Sequence, residues 1–490
     1  MRKSLKLNAV ALKLRGADIA SANPEMKTET RTETDSMGTM QVPVEAYYGA
    51  QTARAVENFP ISPLRFPRQF IRALGLVKKH GAIANESLRL LPTRLSSAIQ
   101  QAAQEVVDGR LDSQFVVDIF QTGSGTSTNM NANEVIANRA IEILGGKRGD
   151  KSVHANDHVN LGQSSNDVIP TAIHVAALDG IIHHLLPALG TLHARLLKKA
   201  LEFRDVLKIG RTHLQDATPI QLGQEFGAYA AQVEEGISNL RQVEGSLGEL
   251  ALGGTAVGTG LNTHPEFARR VIEGISRETG LSLSEASNHF AAQGSIDACL
   301  DASARLKNVA VSLTKIANDI RWLGSGPRCG LGELKLPPTQ PGSSIMPGKV
   351  NPVMCEMLIQ VGAQVIGNDA VITFAGTYGA FELNTMLPVT AYNLLQSIDL
   401  MTKAVGVFAE RCVAGLEADM EKCESYVEKS LAMCTALVPA IGYESVAKIA
   451  KTAYETGRTV REVAREMSGL PAAKLDELLD PRRQTGSIDI

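Results

Sequence analysis

Apolar residues recur at three- and four-residue steps over long stretches of the chain, which is the spacing of one helix face. The strongest such pattern follows Pro170 and predicts a helix over about residues 171–203. With a rise of about 1.5 Å per residue, that helix would be about 50 Å long. Pro187 lies inside it and predicts a kink or local break about one turn earlier, because proline has no amide hydrogen to donate. The apolar positions are Leu178, Ile181, Ile182, Leu185, Leu189, Leu192 and Leu196.

Four further stretches show the same helical spacing, and most of them are long. Several helices of about 25 residues or more cannot each bury an apolar stripe alone. The pattern therefore predicts an all-α fold, a bundle of long up-and-down helices that is extended by association between subunits. The four stretches are about residues 220–250, about residues 296–323, the residues after Pro352 and about residues 388–412.

The remaining segments predict a division of the chain into regions. Residues 27–65 are polar and interrupted by proline and read as a loop-rich lead-in, whereas residues 66–145 are mainly helical with a break around Gly123 and Gly125. We predict an N-terminal extension, an N-terminal domain, a central helical bundle and a small C-terminal helical domain. Their boundaries are residues 1–27, 28–165, 166–413 and 414–490.

The composition agrees with close-packed helices and excludes some partners. Hydrophobic residues make up 44% of the chain but aromatic residues only 4%, which leaves Ala, Leu, Ile and Val to fill the core. The net charge is -3 without strong clustering of either sign, so we expect no nucleic-acid partner. No apolar run approaches the roughly 18 to 20 residues of a membrane span, so we expect no membrane partner.

The cysteines bear on metal binding and on location. All six are scattered, and none forms a C-x-x-C pair or a Cys/His cluster, so we expect no metal. Scattered free thiols indicate a reducing compartment, and we expect a cytoplasmic protein. Residues 1–25 are basic with no acid before Asp18, a pattern compatible with a mitochondrial transit peptide. A disordered extension, or a true start at Met26, explains the same segment.

Residues 342–352, Gly-Ser-Ser-Ile-Met-Pro-Gly-Lys-Val-Asn-Pro, have the composition of a loop that binds anions. Their glycines and prolines forbid a regular helix or strand. Ser343, Ser344, Lys349 and Asn351 can hydrogen-bond a carboxylate or phosphate. The loop is not a nucleotide P-loop, because the spacing of its glycines is wrong and a valine follows the lysine. A dianionic ligand is the leading expectation, with a plain surface loop as the alternative.

Three other polar clusters lie between the predicted helices. Residues 122–131 place glycines before an Asn-rich helix start, which favours an anion at the positive end of the helix dipole, although ordinary capping explains the same residues. Residues 154–167 carry small amides and hydroxyls suited to a polar ligand. In residues 210–216, His213 is the leading general acid/base candidate, and Glu356 could orient its imidazole.

Together these motifs resemble those of one enzyme family. The 342–352 loop is similar to the signature of the fumarase/aspartase superfamily, and residues 210–219, Gly-Arg-Thr-His-Leu-Gln-Asp-Ala-Thr-Pro, resemble class II fumarases in particular. Aspartate ammonia-lyases carry glutamine where this chain has His213, which favours water addition, whereas Thr126 to Asn129 are closer to the ammonia-lyase version. The resemblance implies reversible hydration of fumarate to (S)-malate without metal or organic cofactor. It also implies a homotetramer whose active sites are each built from three subunits.

The resemblance assigns roles to individual residues. Ser343 corresponds to the base that removes the C3 proton of malate, and Lys349 and Asn351 to the groups that hold the resulting aci-carboxylate. His213, paired with Glu356, corresponds to the group that activates water or protonates the leaving hydroxyl. A serine base needs a strong local positive field, because its ordinary pKa lies far above 7. The further substrate contacts implied are Ser124, Gly125, Thr126, Ser164, Ser165, Asn166, Thr212, Ser344 and Val350.

A secondary carboxylate site is implied as well, with two departures from the family pattern. Ala155 stands where the family usually has proline, and Lys151 stands where arginine is common. Lysine keeps the charge but loses the bidentate guanidinium fork, so binding there is in doubt. The remaining members of this site are His154, Asn156 and Asp157. Besides the ammonia-lyase, a catalytically inactive helical-bundle protein remains an alternative, against which the intact residues of the main site weigh.

Overall fold

The structure is a computed structural model that describes residues 29–486, so the predicted N-terminal extension lies outside the described residues. Helices form most of the described chain, as the all-α prediction requires. Eighteen of them, α1 to α18, are α-helices. In chain order they are Ala50–Asn58, Arg68–Ser87, Thr93–Val107, Thr126–Ile143, Ser165–Gly180, Leu186–Glu202, Leu222–Arg241, Val243–Gly248, Phe267–Thr279, His289–Gly294, Asp297–Leu323, Val353–Gly376, Leu387–Arg411, Met420–Val427, Val438–Ile441, Tyr443–Thr456, Val460–Met467 and Ala472–Leu478.

The strands of the described chain form five separate two-stranded sheets, four antiparallel and one parallel. The pairs are β1 with β2, β3 with β4, β5 with β6, β7 with β10, and β8 with β9. In chain order β1 to β10 are Thr30–Asp35, Gly38–Pro43, Leu207–Thr212, Gln215–Gln221, Glu249–Leu250, Ser284–Glu285, Leu334–Lys335, Gly379–Ala380, Leu383–Asn384 and Glu417–Ala418.

The longest predicted helix is present, with its break at the predicted place. Helices α5 and α6 run on continuously through the π-helical turn Ile181–Leu185. That turn ends two residues before Pro187, which therefore lies in the first turn of α6. Since the proline ring cannot fit against a regular preceding turn, the wider turn accommodates it there.

One hydrophobic core runs through most of the molecule. It includes Phe70 of α2, Ile173 of α5, Phe226 of α7 and Leu313 of α11, all essentially inaccessible to solvent. It therefore crosses the predicted boundary between the N-terminal and central domains. A second, smaller cluster lies between Val427 and Leu479. The predicted domain boundaries stay predictions, because shared packing does not define a boundary.

The lead-in at residues 27–65 was expected to be loop-rich, and for much of it this expectation is wrong. Residues 30–43 form the β1–β2 hairpin, and α1 follows at Ala50–Asn58. Exposed and half-buried side chains alternate along β1. The Arg31 guanidinium donates to the backbone carbonyls of Pro43, Val44 and Ala46, which ties the hairpin to the chain that follows.

Two helical stretches of the described chain are long and apolar enough, by length and composition alone, to cross a membrane. No apolar run of this length was expected from the sequence. Polar residues interrupt both stretches, but the mean hydropathy of each stays high. The first is Ser165–Glu202, and its most apolar part is 61% buried inside the molecule, as in the core helix of a globular protein. The second is Val353–Gly376, and only 33% of its most apolar part is buried inside the molecule.

Candidate active site

Two helix N-termini converge on a cluster of hydroxyl groups. Helix α4 begins at Thr126 after Gly125, whose φ of 74° glycine adopts without strain. The Thr126 hydroxyl lies 2.8 Å from the Ser124 hydroxyl and 2.6 Å from that of Ser165, the first residue of α5. The structure thus brings together residues that are 39 positions apart in the sequence. Both helix dipoles present their positive ends here, which favours an anion.

The start of α5 is held by a capping box. The Ser164 hydroxyl accepts from the Asn166 amide, and the Asp167 carboxylate accepts from the Ser164 amide at 2.9 Å. The other oxygen of Asp167 accepts from the Gly253 and Thr255 amides at 3.1 and 2.9 Å. These bonds fix the orientation of the hydroxyl cluster relative to the 253–256 turn.

A cavity of about 390 Å³ opens beside this cluster. Amide and hydroxyl side chains line it together with the apolar residues Met130, Ala256 and Leu261, and the polar groups suit a small polar ligand. Three of the predicted contacts, Thr126, Ser164 and Ser165, line it. The lining residues Asn129, Asn160 and Gln163 belong to the polar clusters 122–131 and 154–167 but were not predicted as individual contacts, and Thr255 was not predicted at all.

Gly123 fixes the position of the Ser124 segment. Its carbonyl accepts from the Leu387 amide at 3.0 Å, and a Cβ atom at this residue would overlap the Thr385 carbonyl. Gly123→Ala should therefore lower the free energy of unfolding by about 1–3 kcal/mol, as other overpacked sites do. Gly190→Ala is the matched control, because a Cβ there meets nothing within 4 Å and alanine favours helix. Thermal unfolding of the two variants checks this, and equal melting temperatures would contradict it.

His213 lies at the tip of a hairpin rather than in the irregular loop that its neighbours suggested. Strands β3 and β4 pair up to Thr212 and Gln215, so His213 and Leu214 form a two-residue turn with φ of 56° and 59°. Such turns usually contain Asn and Gly, because both central residues must adopt positive φ. A histidine and a leucine are strained there, and backbone strain of this kind is common at functional sites. Thr212 and His213 are both exposed.

A buried charge network anchors this hairpin. Arg211 donates to both oxygens of Glu333 at 2.8 and 2.9 Å, and Glu333 is completely buried. Lys208, also buried, lies 3.6 Å from Glu333 and 3.3 Å from Glu225. Burial raises the pKa of the Glu225 carboxyl, and the nearby Lys208 ammonium opposes that rise. Because Glu333 immediately precedes β7, the same carboxylate links the hairpin to the segment that leads into the 342–352 loop.

The 342–352 loop is closed by its own hydrogen bonds. The Gly342 amide donates to the Lys349 carbonyl at 2.9 Å, and the Asn351 side chain donates to the Gly342 carbonyl at 2.5 Å. The Ser343 hydroxyl oxygen accepts from the Ile345 and Met346 amides at 3.2 and 3.0 Å. Two amide donors on one oxygen stabilise negative charge there. Ser344, Lys349, Val350 and Glu356 are exposed, the last in the first turn of α12.

The three groups of predicted site residues do not meet within one chain. Within residues 29–486, no hydrogen bond or ion pair joins His213 to Glu356. None joins the 342–352 loop to the hydroxyl cluster at Thr126 and Ser165 either. Each group is ordered by its own local structure. Among the described residues, the cavity beside the hydroxyl cluster is lined neither by the 342–352 loop nor by His213.

Four of the five predicted secondary carboxylate residues, Lys151, His154, Ala155 and Asn156, line another cavity, of about 280 Å³, and Asp157 does not. The Lys151 ammonium donates to the Thr34 carbonyl at 2.7 Å, and His154 Nδ1 lies 3.0 Å from an Asp157 carboxylate oxygen. Ala155 starts a π-helical turn that also contains Asn156. The cavity is also lined by the acidic residues Glu33 and Asp35, which are ion-paired with Arg31 and Arg54, and by Glu134. Whether this site binds anything stays a prediction.

Most of the chain is similar to proteins of one enzyme family. A family model described as lyase matches residues 38–367, and one described as fumarase C C-terminus matches residues 433–486. The chain is 56% identical to the class II fumarate hydratase of Halobacterium salinarum over 94% of this chain and 98% of that protein. It is 52% identical to the mitochondrial fumarate hydratase of Saccharomyces cerevisiae, over 94% and 95%.

A solved structure agrees with these relatives. The class II fumarase of Schistosoma mansoni superposes with a TM-score of 0.90 at 41% identity, covering 92% of this chain and 98% of that one. The sequence similarity and the structural similarity therefore cover almost the same share of this chain, 94% and 92%. The chain belongs to the class II fumarase family.

Proposed function

We propose that the protein is a fumarate hydratase, a lyase that reversibly adds water to fumarate and yields (S)-malate. The observation that carries this is the 56% identity to a class II fumarate hydratase over 94% of the chain. The cavity beside Thr126 and Ser165 supports it, because its amide and hydroxyl groups and two helix N-termini suit a small dicarboxylate.

The chemistry requires a proton to leave C3 of malate and a hydroxyl to leave C2. In our proposal Ser343 takes the C3 proton, and two amide donors on its oxygen support the alkoxide form. Lys349 and Asn351 hold the doubly negative aci-carboxylate that results, since an ammonium and an amide are suitable donors for it. His213 protonates the leaving hydroxyl or, in the reverse direction, activates water, and Glu356 orients its ring.

The remaining predicted residues bind substrate in this proposal. Ser124, Thr126 and Asn166 complete the water and substrate site, although Asn166 donates to the Ala256 carbonyl at 2.8 Å in the free chain. A ligand would share or replace that bond. The further carboxylate contacts are Gly125, Thr212, Ser164, Ser165, Ser344 and Val350.

We also propose a homotetramer with active sites shared between subunits. Helix α12 supports it, because Ile366, Ala370 and Phe374 recur at four-residue steps on one exposed face of an otherwise apolar helix. An exposed apolar stripe of this kind is typical of subunit interfaces. Sedimentation analysis of the purified protein tests the assembly, and a fully folded active monomer would contradict it.

Shared sites predict that two inactive variants can restore each other. Co-expressed His213→Asn and Ser343→Ala chains should form mixed assemblies in which some sites receive both intact residues. We expect fumarate turnover well above the sum of the two separate variants, measured on mixed assemblies isolated through two different tags. Activity no higher than that sum would mean that one chain supplies both residues to each site.

The decisive experiment follows the loss of the fumarate absorbance band after the purified protein is added in chelator-treated buffer, with malate measured as product. The expected result is turnover in both directions until the same ratio of malate to fumarate is reached. L-Aspartate serves as the control substrate. Ammonia release from aspartate without malate turnover would instead identify an ammonia-lyase.

We propose a cytoplasmic location, with a mitochondrial one as the alternative. The six free cysteines, four of them buried, support a reducing compartment. Fractionation of cells that express the full chain tests this.

A further inference from the structure

On the premise that the protein hydrates fumarate, we propose that Lys78 is a positioning residue for the dianionic substrate. Its buried ammonium group fixes the Asn160–Gln163 turn that lines the cavity and places one positive charge behind that wall. Lys78 itself does not line the cavity, so it acts through its neighbours.

The contacts of Lys78 are unusual for a buried lysine. Its side chain is completely buried in α2, and its Nζ atom donates to Asn160 Oδ1 and Gln163 Oε1, both at 2.9 Å. Both acceptors are neutral amide oxygens. Among the described residues it forms no ion pair, whereas buried charges in proteins are normally paired with an opposite charge. Among the described residues, no carboxylate therefore contacts the Lys78 ammonium group to offset its positive charge.

Asn160 connects this charge to the cavity. Its Oδ1 atom also accepts from the side-chain amides of Asn129 and Asn133, at 3.2 and 3.1 Å. Of these residues, Asn129, Asn160 and Gln163 line the cavity. Three donors on one amide oxygen set the orientation of the Asn160 side chain, and with it the wall that faces a ligand.

Gln163 connects the same lysine to the start of α5. It immediately precedes Ser164, the N-cap residue, so the ammonium group holds the chain at the point where the hydroxyl cluster begins. Losing Lys78 would leave the half-buried Gln163 Oε1 without this donor, which costs free energy and frees the turn to shift.

The carboxylate that attracts the Lys78 ammonium, that of Asp167, is bonded to other groups. Asp167 is completely buried, but its two oxygens accept from the backbone amides of Ser164, Gly253 and Thr255. Burial lowers the pKa of the Lys78 ammonium to about 7, and the charge of Asp167 only partly offsets this. A dianion in the adjacent cavity would favour the charged lysine, since unlike charges interact strongly in a poorly solvated site.

The test compares two competitive inhibitors of nearly the same shape, succinate with two negative charges and succinamate with one. In Lys78→Met, we expect the inhibition constant of succinate to rise about tenfold and that of succinamate only about threefold, because the lost attraction scales with ligand charge. KM for fumarate should rise more than kcat falls. Lys199→Met is the control. Lys199 is also buried, but its ammonium group donates to the Glu202 carboxylate and to the carbonyl of Leu416, which is distant in the sequence.

Each outcome decides the matter. Equal changes for the two inhibitors would mean that Lys78 only shapes the cavity, and unchanged constants would remove it from substrate binding, so either result overturns the proposal. If Lys78→Met does not fold, Lys78→Gln, which keeps a donor without the charge, takes its place, and failure of both to fold would assign the lysine to the fold alone. A wild-type protein that does not hydrate fumarate would refute the proposed function instead, before any variant is compared.

Discussion

Replacing His213 by asparagine is expected to lower kcat for fumarate hydration by about 10²- to 10⁴-fold, the usual cost of losing a general acid/base. The substitution is chosen for its backbone. Position 213 has a φ of 56°, and asparagine is one of the few residues that adopt this conformation readily. The hairpin should therefore keep its shape while the imidazole is lost. Steady-state rates in both directions measure the effect.

The control for this variant is His184→Asn, since His184 is exposed on the long helix and has no proposed role. We expect its kcat to match that of the wild type. The anchor of the hairpin, Arg211 with Glu333, is untouched in both variants. An unchanged rate in His213→Asn would exclude this histidine from the proton transfer and leave the acid/base group to be found elsewhere.

Ser343→Ala should lower kcat by about 10³-fold or more while an inhibitor such as succinate still binds, because the variant removes the proposed base but no carboxylate donor. Alanine also loses the acceptor of the Ile345 and Met346 amides. A second variant separates these two losses. In Ser343→Asn the side-chain oxygen can accept the same amides, as Asx turns do, but cannot act as an alkoxide.

Both variants should therefore be inactive if Ser343 is the base. Isotope exchange at C3 of malate, followed by mass spectrometry, measures the proton transfer directly and should be lost together with turnover. If Ser343→Asn kept near wild-type activity, the role of Ser343 would be to order the loop, and another group would have to remove the proton.

Much of the helical fold could be predicted from the sequence, because long runs of apolar residues at helical spacing leave few alternatives. The predicted helix at about 296–323 is observed at Asp297–Leu323, and the one at about 388–412 at Leu387–Arg411. The wide turn before Pro187 followed from the chemistry of proline. These features depend on local sequence alone.

The hairpins could not be predicted in the same way. The His213 turn carries no Asn-Gly signal, and its strands are held by Glu333, which lies over a hundred residues away in the sequence. The β1–β2 hairpin depends on carbonyl contacts of Arg31 that no spacing rule reveals. In both cases long-range polar contacts decide the local structure.

The candidate site was predictable in its motifs but not in its assembly. Polar clusters near Thr126, Ser164 and Ser343 were visible in the sequence, and the structure brings the first two together. Lys78 was missed because it continues an apolar stripe of α2 at four-residue steps, after Phe70 and Leu74. A charged residue in such a stripe is the one signal that could have indicated it.

Helix α12 begins directly after the loop that carries Lys349, and its apolar face is exposed in the single chain. In the proposed tetramer, a newly synthesised subunit would expose this apolar surface beside an incomplete active site until it associates with other subunits. Slow synthesis or strong dilution would lengthen the time that each subunit spends in this state, because subunit association depends on concentration. The amount of working enzyme in a cell would then depend on how fast chains meet as well as on how many are made.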